Sequence, residues 1–144
     1  MKALTICQPY AELICTGEKR VENRTWPTKY RGLMFIHAGK SRQWFDDDAH
    51  LIREFGTMPP FGAVVATVAL IDCVRSADVI MGDYDKKYPW LAEHEHMHGP
   101  WCWILENVTR IGPWPWRGAQ GLFDIDHAQL IAPPRNSVAT MSNS

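Results

Sequence analysis

The sequence has no apolar run of the roughly 18 residues that a membrane-spanning helix needs. Its start, Met1-Lys2-Ala3-Leu4-Thr5, lacks the apolar stretch of a secretory leader, so a cytoplasmic setting is the default expectation. Cysteine is scarce: Cys7, Cys15, Cys73 and Cys102 are scattered and form no Cys-x-x-Cys pair. That argues against a disulfide framework or a zinc site. Cys7, Cys15 and Cys102, among apolar neighbours, read as small core residues. There is no internal repeat and no low-complexity tract. Net charge is also nearly absent, at -1 for 15 basic and 16 acidic residues. What is present is an ordinary globular mixture, 46% hydrophobic and 22% charged over 144 residues, enough for one domain with a single core.

The small net charge hides an asymmetry. Residues 1–42 carry eight Lys or Arg against three Glu, a net +5; residues 43–144 carry seven against thirteen acids, a net -6. Two readings follow. The basic excess forms a local patch able to hold a phosphate backbone, or the two halves interleave in space and cancel.

Along the chain, Ala3 to Cys7 reads as a short buried strand broken by Gln8-Pro9. Tyr10, Ala11, Leu13 and Ile14 give a helical apolar face that Gly17 ends in the left-handed conformation. Arg20 to Thr25 reads as extended, and Trp26-Pro27 as a turn. Gly32 to Ala38 is a core strand. Arg42 to Phe55 has apolar residues at helical spacing, with Asp46-Asp47-Asp48 in the first turns and Gly56 as a cap. The three aspartates point in different directions on a helix, which argues against a metal site. Gly62 to Val74 is too long for an average strand, so it is expected to bend and help form a barrel. Asp72, alone among apolar neighbours, is either a strand-end residue on the solvent face or a carboxylate facing a cleft.

Ser76 to Tyr88 reads as a loop or short helix. His94, His96 and His98 stand at every second position. An extended segment would put them on one face, able to bind zinc or nickel; the plainer reading, a polar loop, is preferred, because no fourth ligand can be named. Trp101 to Thr109 reads as a strand with Trp101, Trp103 and Leu105 on one face. Gly112 to Gly118 reads as a rigid proline- and tryptophan-rich loop, and Leu122 to Ile125 as a last strand. A single domain is expected over 1–131 with a flexible tail over 132–144.

The stretch that organises the rest is Gly17-Glu18-Lys19-Arg20-Val21-Glu22-Asn23-Arg24. If it is extended, Glu22 and Arg24 point the same way and Lys19 faces oppositely unless the turn re-aims it. By itself this reads as a solvated turn with a surface ion pair worth about 0–1 kcal/mol. Yet Gly-x-Lys-x-x-Glu-x-Arg after a short helix resembles the signature of the ASCH domain, part of the PUA-like superfamily. Lys2 to Ile6 with Gln8-Pro9-Tyr10-Ala11, Tyr30-Arg31-Gly32 with Ile36-His37-Ala38, Gly99 to Trp103, and Arg117 to Phe123 are similar to further blocks of that family, in order, over about residues 2–126.

The resemblance implies an α+β fold: a PUA-like β-barrel flanked by short helices, with a cleft lined by Lys19, Glu22 and Arg24. Gln8, Tyr10 and Trp26 are close enough in sequence to wall it, and Arg117 to approach from the other side. Arg24 or Arg31 can grip phosphate bidentately. Tyr10, Trp26, Trp114 or Trp116 can stack on a base, and Glu22 can accept from a base amino group. The expectation is binding of RNA, single-stranded nucleic acid or a modified nucleoside, with no cofactor, no metal and no membrane. A rival reading is a hydrolase. Some small ASCH proteins are amidohydrolases acting on acetylated cytidine, and a ribonuclease activity is also associated with the family. The amidohydrolase site uses a lysine, a threonine three residues on and a later acid. Here Lys19 matches, Glu22 replaces the threonine, and Asp72 is the candidate acid. A carboxylate beside Lys19 is expected to raise its pKa and keep it charged, which works against a neutral base or nucleophile. His37 is a conceivable general base, though a lone histidine at a strand end is more often structural. A third reading is a protein-interaction module using Trp114-Pro115-Trp116.

Overall fold

The structure of the protein, a computed structural model, describes residues 1–52 and 58–131, without the side chain of Ile131. The proposed Gly56 cap and the tail over 132–144 lie outside the described residues. In chain order the elements are β1 (Lys2–Ile6), α1 (Tyr10–Thr16), β2 (Val21–Arg24), β3 (Gly32–Ala38), α2 (Phe45–Asp48), a 3-10 turn (Ala49–Leu51), β4 (Ala63–Arg75), α3 (Ser76–Ile80), β5 (Trp101–Pro115), β6 (Leu122–Asp124) and α4 (His127–Ile131). The strands form one sheet in the order β2-β5-β4-β3-β1-β6. β1 and β3 run parallel; the other pairs are antiparallel. The sheet curls into a half-barrel with short helices around it, an α+β fold.

The curl follows from the long strands. β4 runs 13 residues, and its register against β5 shifts three times, between Val64 and Ala66, Thr67 and Ala69, and Leu70 and Asp72. Each such bulge adds a residue to one side and bends the strand, so β4 wraps around a core rather than crossing it. Inside the curl lie Leu4, Ile6, Met34, Ile36, Val68, Leu70, Trp103 and Leu105, with Ala11 and Ile14 of α1 packed on them. The outer face is covered too. Val21, Cys102 and Ile104 pack under Val79, Tyr88 and Leu91 at one end, and Ala3, Phe35 and Val64 pack with Ile125 and Leu130 at the other. Covering on both faces explains why β3 reads as a nearly continuous apolar run.

Two elements differ from expectation. The helix over Arg42 to Phe55 shrinks to α2 and the 3-10 turn, and Ile52 is already extended at φ -81°, ψ 109°. Three consecutive aspartates have poor helix propensity, and Asp48 accepts a hydrogen bond from the Tyr10 hydroxyl instead of facing solvent. Second, the loop over Gly112 to Gly118 is in its first part strand, since β5 continues to Pro115 opposite Ala63. Gly112 makes this possible at φ +63°. A Cβ there would meet the Trp114 nitrogen at 2.5 Å and the Val64 carbonyl at 2.8 Å.

Candidate functional site

A cleft of about 900 Å³ opens where β1 ends and β2 begins. α1 ends at Gly17, whose φ of +85° turns the chain sharply. The Lys19 amide then bonds to the Leu13 carbonyl at 3.0 Å, which fixes the turn and re-aims Lys19 toward β2. Lys19 is 4% exposed and Glu22 is 7% exposed. Lys19 Nζ lies 3.6 Å from Glu22 Oε1 and 5.5 Å from the centre of the Tyr10 ring. Arg24 donates from Nε to Glu22 Oε2 at 3.1 Å and from Nη2 to the Thr5 carbonyl at 2.8 Å, with Nη2 also 2.9 Å from Glu22 Oε2 as an ion pair. Glu22 Oε1 also accepts from the Asn23 amide at 3.2 Å. The carboxylate of Glu22 is thereby occupied on both oxygens. It holds the two cations in place.

Burial is the largest influence on Lys19 and lowers its pKa; the Arg24 cation lowers it further, against the opposing pull of Glu22. The sequence-based expectation that Glu22 raises the Lys19 pKa is therefore corrected: taking the ammonium out of water outweighs one carboxylate at 3.6 Å. Tyr10 is pushed up to about 12 by burial and by its hydrogen bond to Asp48.

The remaining expected site residues are dispersed. Gln8 is fully buried, donating to the Pro60 carbonyl at 2.8 Å and accepting from the Glu12 amide at 3.0 Å, so it anchors the start of α1. Trp26 packs edge-on to Trp103, ring centres 4.8 Å apart, and its carbonyl accepts from the Trp103 indole; it belongs to the core. Arg31 pairs with Asp72 at 3.5 Å, away from the cleft. Asp72 also accepts from Tyr88 Oη (2.8 Å), Lys87 Nζ (3.3 Å) and the Cys73 amide (2.9 Å). Burial pushes its carboxyl up, but these hydrogen bonds bring it below the usual range. Its bulge turns it to that network and not to Lys19. Arg117 lines a different cavity. Trp114 and Trp116 pack partly into the outer core with Phe35 and Ile125.

Several cleft residues went unread in the sequence. Trp44, 47% exposed, stands on the cleft wall. Its spacing had placed it on a helix face; α2 begins at Phe45 and leaves Trp44 just ahead of it. His96 is 6% exposed and lines the same cleft, its ring 6.3 Å from Tyr10. The 94–98 segment is loop and turn and not a strand; His96 and His98 both line the cleft, and the His94 ring lies 5.6 Å from that of His96. His94 Nε2 accepts from the Arg20 amide at 3.1 Å, and burial together with His96, Lys19 and Arg20 lowers it to about 4. Asn23 ties this segment to β2, donating to the His96 carbonyl and accepting from the amides of His98 and Gly99. Among the described residues no group of three His, Cys, Asp or Glu is placed to hold a metal ion.

The ASCH domain profile matches residues 4–115. The chain belongs to the ASCH domain family. Activating signal cointegrator 1 of Homo sapiens is 35% identical over 81 residues, covering 49% of this chain and 14% of that protein. The Mus musculus protein of the same name is 36% identical over the same length and coverage. The chain thus spans about 14% of the length of these curated relatives. The crystal structure of ASCH from Zymomonas mobilis superposes with a TM-score of 0.54 at 13% identity, covering 89% of each chain. A single-residue mutant of the Zymomonas protein gives 0.53 at 13%, covering 97% of this chain and 96% of that one. At such identity the likeness speaks for the fold alone. In this ASCH domain the signature is thus a buried Lys-Glu-Arg cluster at the base of a cleft.

Proposed function

We propose that the cleft binds one unpaired or modified nucleotide of an RNA strand. The ASCH family is linked to RNA binding. The observation that carries the reading is Lys19: a buried amine, with one carboxylate partner at 3.6 Å, on the wall of a 900 Å³ cleft. A lysine is costly to bury, and it has three donors of which Glu22 engages one. The other two suit the carbonyl oxygen of a base. Trp44 supplies an exposed aromatic face for stacking, and His96, held neutral by burial, adds a polar edge.

The test is retention of short single-stranded RNAs and acylated nucleosides by the protein and by Trp44→Ala and Lys19→Met. Each substitution is expected to weaken binding about tenfold or more, the worth of one stacked base or one charge-assisted hydrogen bond. RNA held equally well by all three proteins would sink the reading and bring the interaction module forward.

A second reading rests on the lowered pKa of Lys19. A less firmly protonated amine is closer to what a base or nucleophile needs, so a hydrolase acting on acylated nucleosides through Lys19 gains support, with Glu22 and not Asp72 as the adjacent acid. Mass spectrometry of the same incubations decides it: product that forms with the native protein and vanishes with Lys19→Met is expected, and its absence throughout rejects turnover.

A further inference from the structure

A second cavity, of about 850 Å³, adjoins the first. Thr5, at the end of β1, lines both. Its carbonyl accepts from Arg24 on the first side, and its hydroxyl bonds to His37 Nδ1 at 3.1 Å on the second. The two cavities differ in charge. Glu22 and Glu95 line the first, whereas no carboxylate lines the second, which holds Lys40 and Arg117. Several other cations are spent on acids: Lys2 on Asp124, Arg20 on Glu106, Arg31 on Asp72, Arg42 on Asp46, and Lys19 and Arg24 on Glu22; Lys29, Arg75 and Lys86 have no such partner among the described residues but line neither cavity. Among the described residues Lys40 and Arg117 make no ion pair. Three glycines line the cavity as well, but the amides of Gly39 and Gly62 are already bonded to the Ile6 and Ala38 carbonyls, so its anion donors are the two side chains.

The loop that carries Arg117 is pinned from below. His37 is 1% exposed, and its Nε2 donates to the Trp116 carbonyl at 2.7 Å, because a carbonyl can only accept; Nδ1 is then the acceptor for the Thr5 hydroxyl. Gly118 packs directly on this pair. A Cβ there would meet His37 Cε1 at 2.7 Å and Thr5 Oγ1 at 2.8 Å. His37 is thus a positioning residue, uncharged, that sets where Arg117 begins.

We propose that this second cavity holds the phosphate of the nucleotide whose base occupies the first, with Lys40 and Arg117 as its cations. The proposal rests on the nucleotide reading of the first cleft and deepens it: the ligand is a phosphorylated nucleotide, not a free nucleoside. Two cations facing a space without carboxylates favour a compact anion, and Arg117 can present two parallel donors to it. The shared wall at Thr5 sets base and phosphate on either side of one residue.

The experiment is calorimetric titration of the native protein and of the Lys40→Ala/Arg117→Ala double variant. The probes are the four ribonucleosides, their 5′- and 3′-monophosphates, and single-stranded RNA tetranucleotides. The native protein is expected to prefer a monophosphate over its nucleoside by about tenfold or more, and the double variant to bring that ratio to about one. A preference confined to the tetranucleotides, and lost in the variant, assigns the phosphate to a strand's phosphodiester. The salt dependence of tetranucleotide binding is expected to flatten by about 0.7 per lost phosphate contact. A preference that survives in the variant overturns the proposal. If no nucleoside or nucleotide binds at all, the first-cleft reading fails. Inorganic phosphate, followed through the nuclear magnetic resonances of His37 and Gly118, then judges the cavity separately. Shifts in the native protein that vanish in the double variant uphold an anion site there, and no shifts reject it.

Discussion

Lys19 is a residue whose cost to the fold is visible. Its pKa falls on folding because burial disfavours the ammonium, so between the folded and the unfolded pKa the unfolded chain holds a proton that the native protein has lost. The sign follows: stability rises with pH between the lowered folded value and about 10.4, the ordinary value for lysine. The rise should approach about 1.4 kcal/mol per pH unit at its steepest. Lys19→Met should remove it while keeping the side chain's volume. Urea midpoints of the two proteins across that range check this. The tyrosines and thiols that also titrate there are common to both and cancel in the comparison. A slope that persists in Lys19→Met would mean that the ammonium is well hydrated in the native state.

At the scale of elements, β5 and the 94–98 segment show how local chemistry places the site. β5 crosses Pro113 and Pro115 only because Gly112 takes a positive φ and leaves room for the Trp114 nitrogen. Gly112→Ala therefore meets both backbone strain and a clash. It should lower stability by about 2 kcal/mol or more, read as a fall in melting temperature. The turn segment is held by neutral histidines. His94 has a folded pKa of about 4 against roughly 6.5 when unfolded, so stability should fall as pH drops from about 6.5 toward 4. His37 and His96, both lowered chiefly by burial, add to the same slope. His94→Gln keeps an acceptor for the Arg20 amide and removes one titration. Its acid limb in pH-dependent denaturation should be shallower than that of the native protein.

Over the whole molecule, Arg24 is a clasp. β1 and β2 lie three strands apart in the sheet, yet the Arg24 side chain on β2 reaches the Thr5 carbonyl on β1. It spans the opening of the half-barrel while its Nε donates to Glu22. Arg24→Lys keeps the charge and cannot serve both partners. It should cost about 2–3 kcal/mol, seen as a lower urea midpoint with an unchanged slope. The same scale settles the charge asymmetry. Lys2, Arg20, Arg31 and Arg42 of the basic segment pair with acids of the second half, so the halves largely cancel. Among the described residues no helix is long and apolar enough to cross a membrane.

The family, most of the strands and the turn at Gly17 were readable from short-range chemistry alone: apolar runs, a glycine cap and an ordered set of motifs. The sequence also placed Lys19, Glu22 and Arg24 together, since all three lie within six residues on one turn and strand. Tertiary structure alone decided what each of them faces. Periodicity could not show that Asp72 would turn toward Tyr88 and Lys87, because three bulges in β4 shift its register. Nor could it free Trp44, which depends on where α2 begins, or bury Trp26 against Trp103, which lies 77 residues away. The protonation of Lys19 lay furthest from reach. Its near neighbours in sequence argued for a raised pKa, while the burial that lowers it comes from the packing of the fold around it.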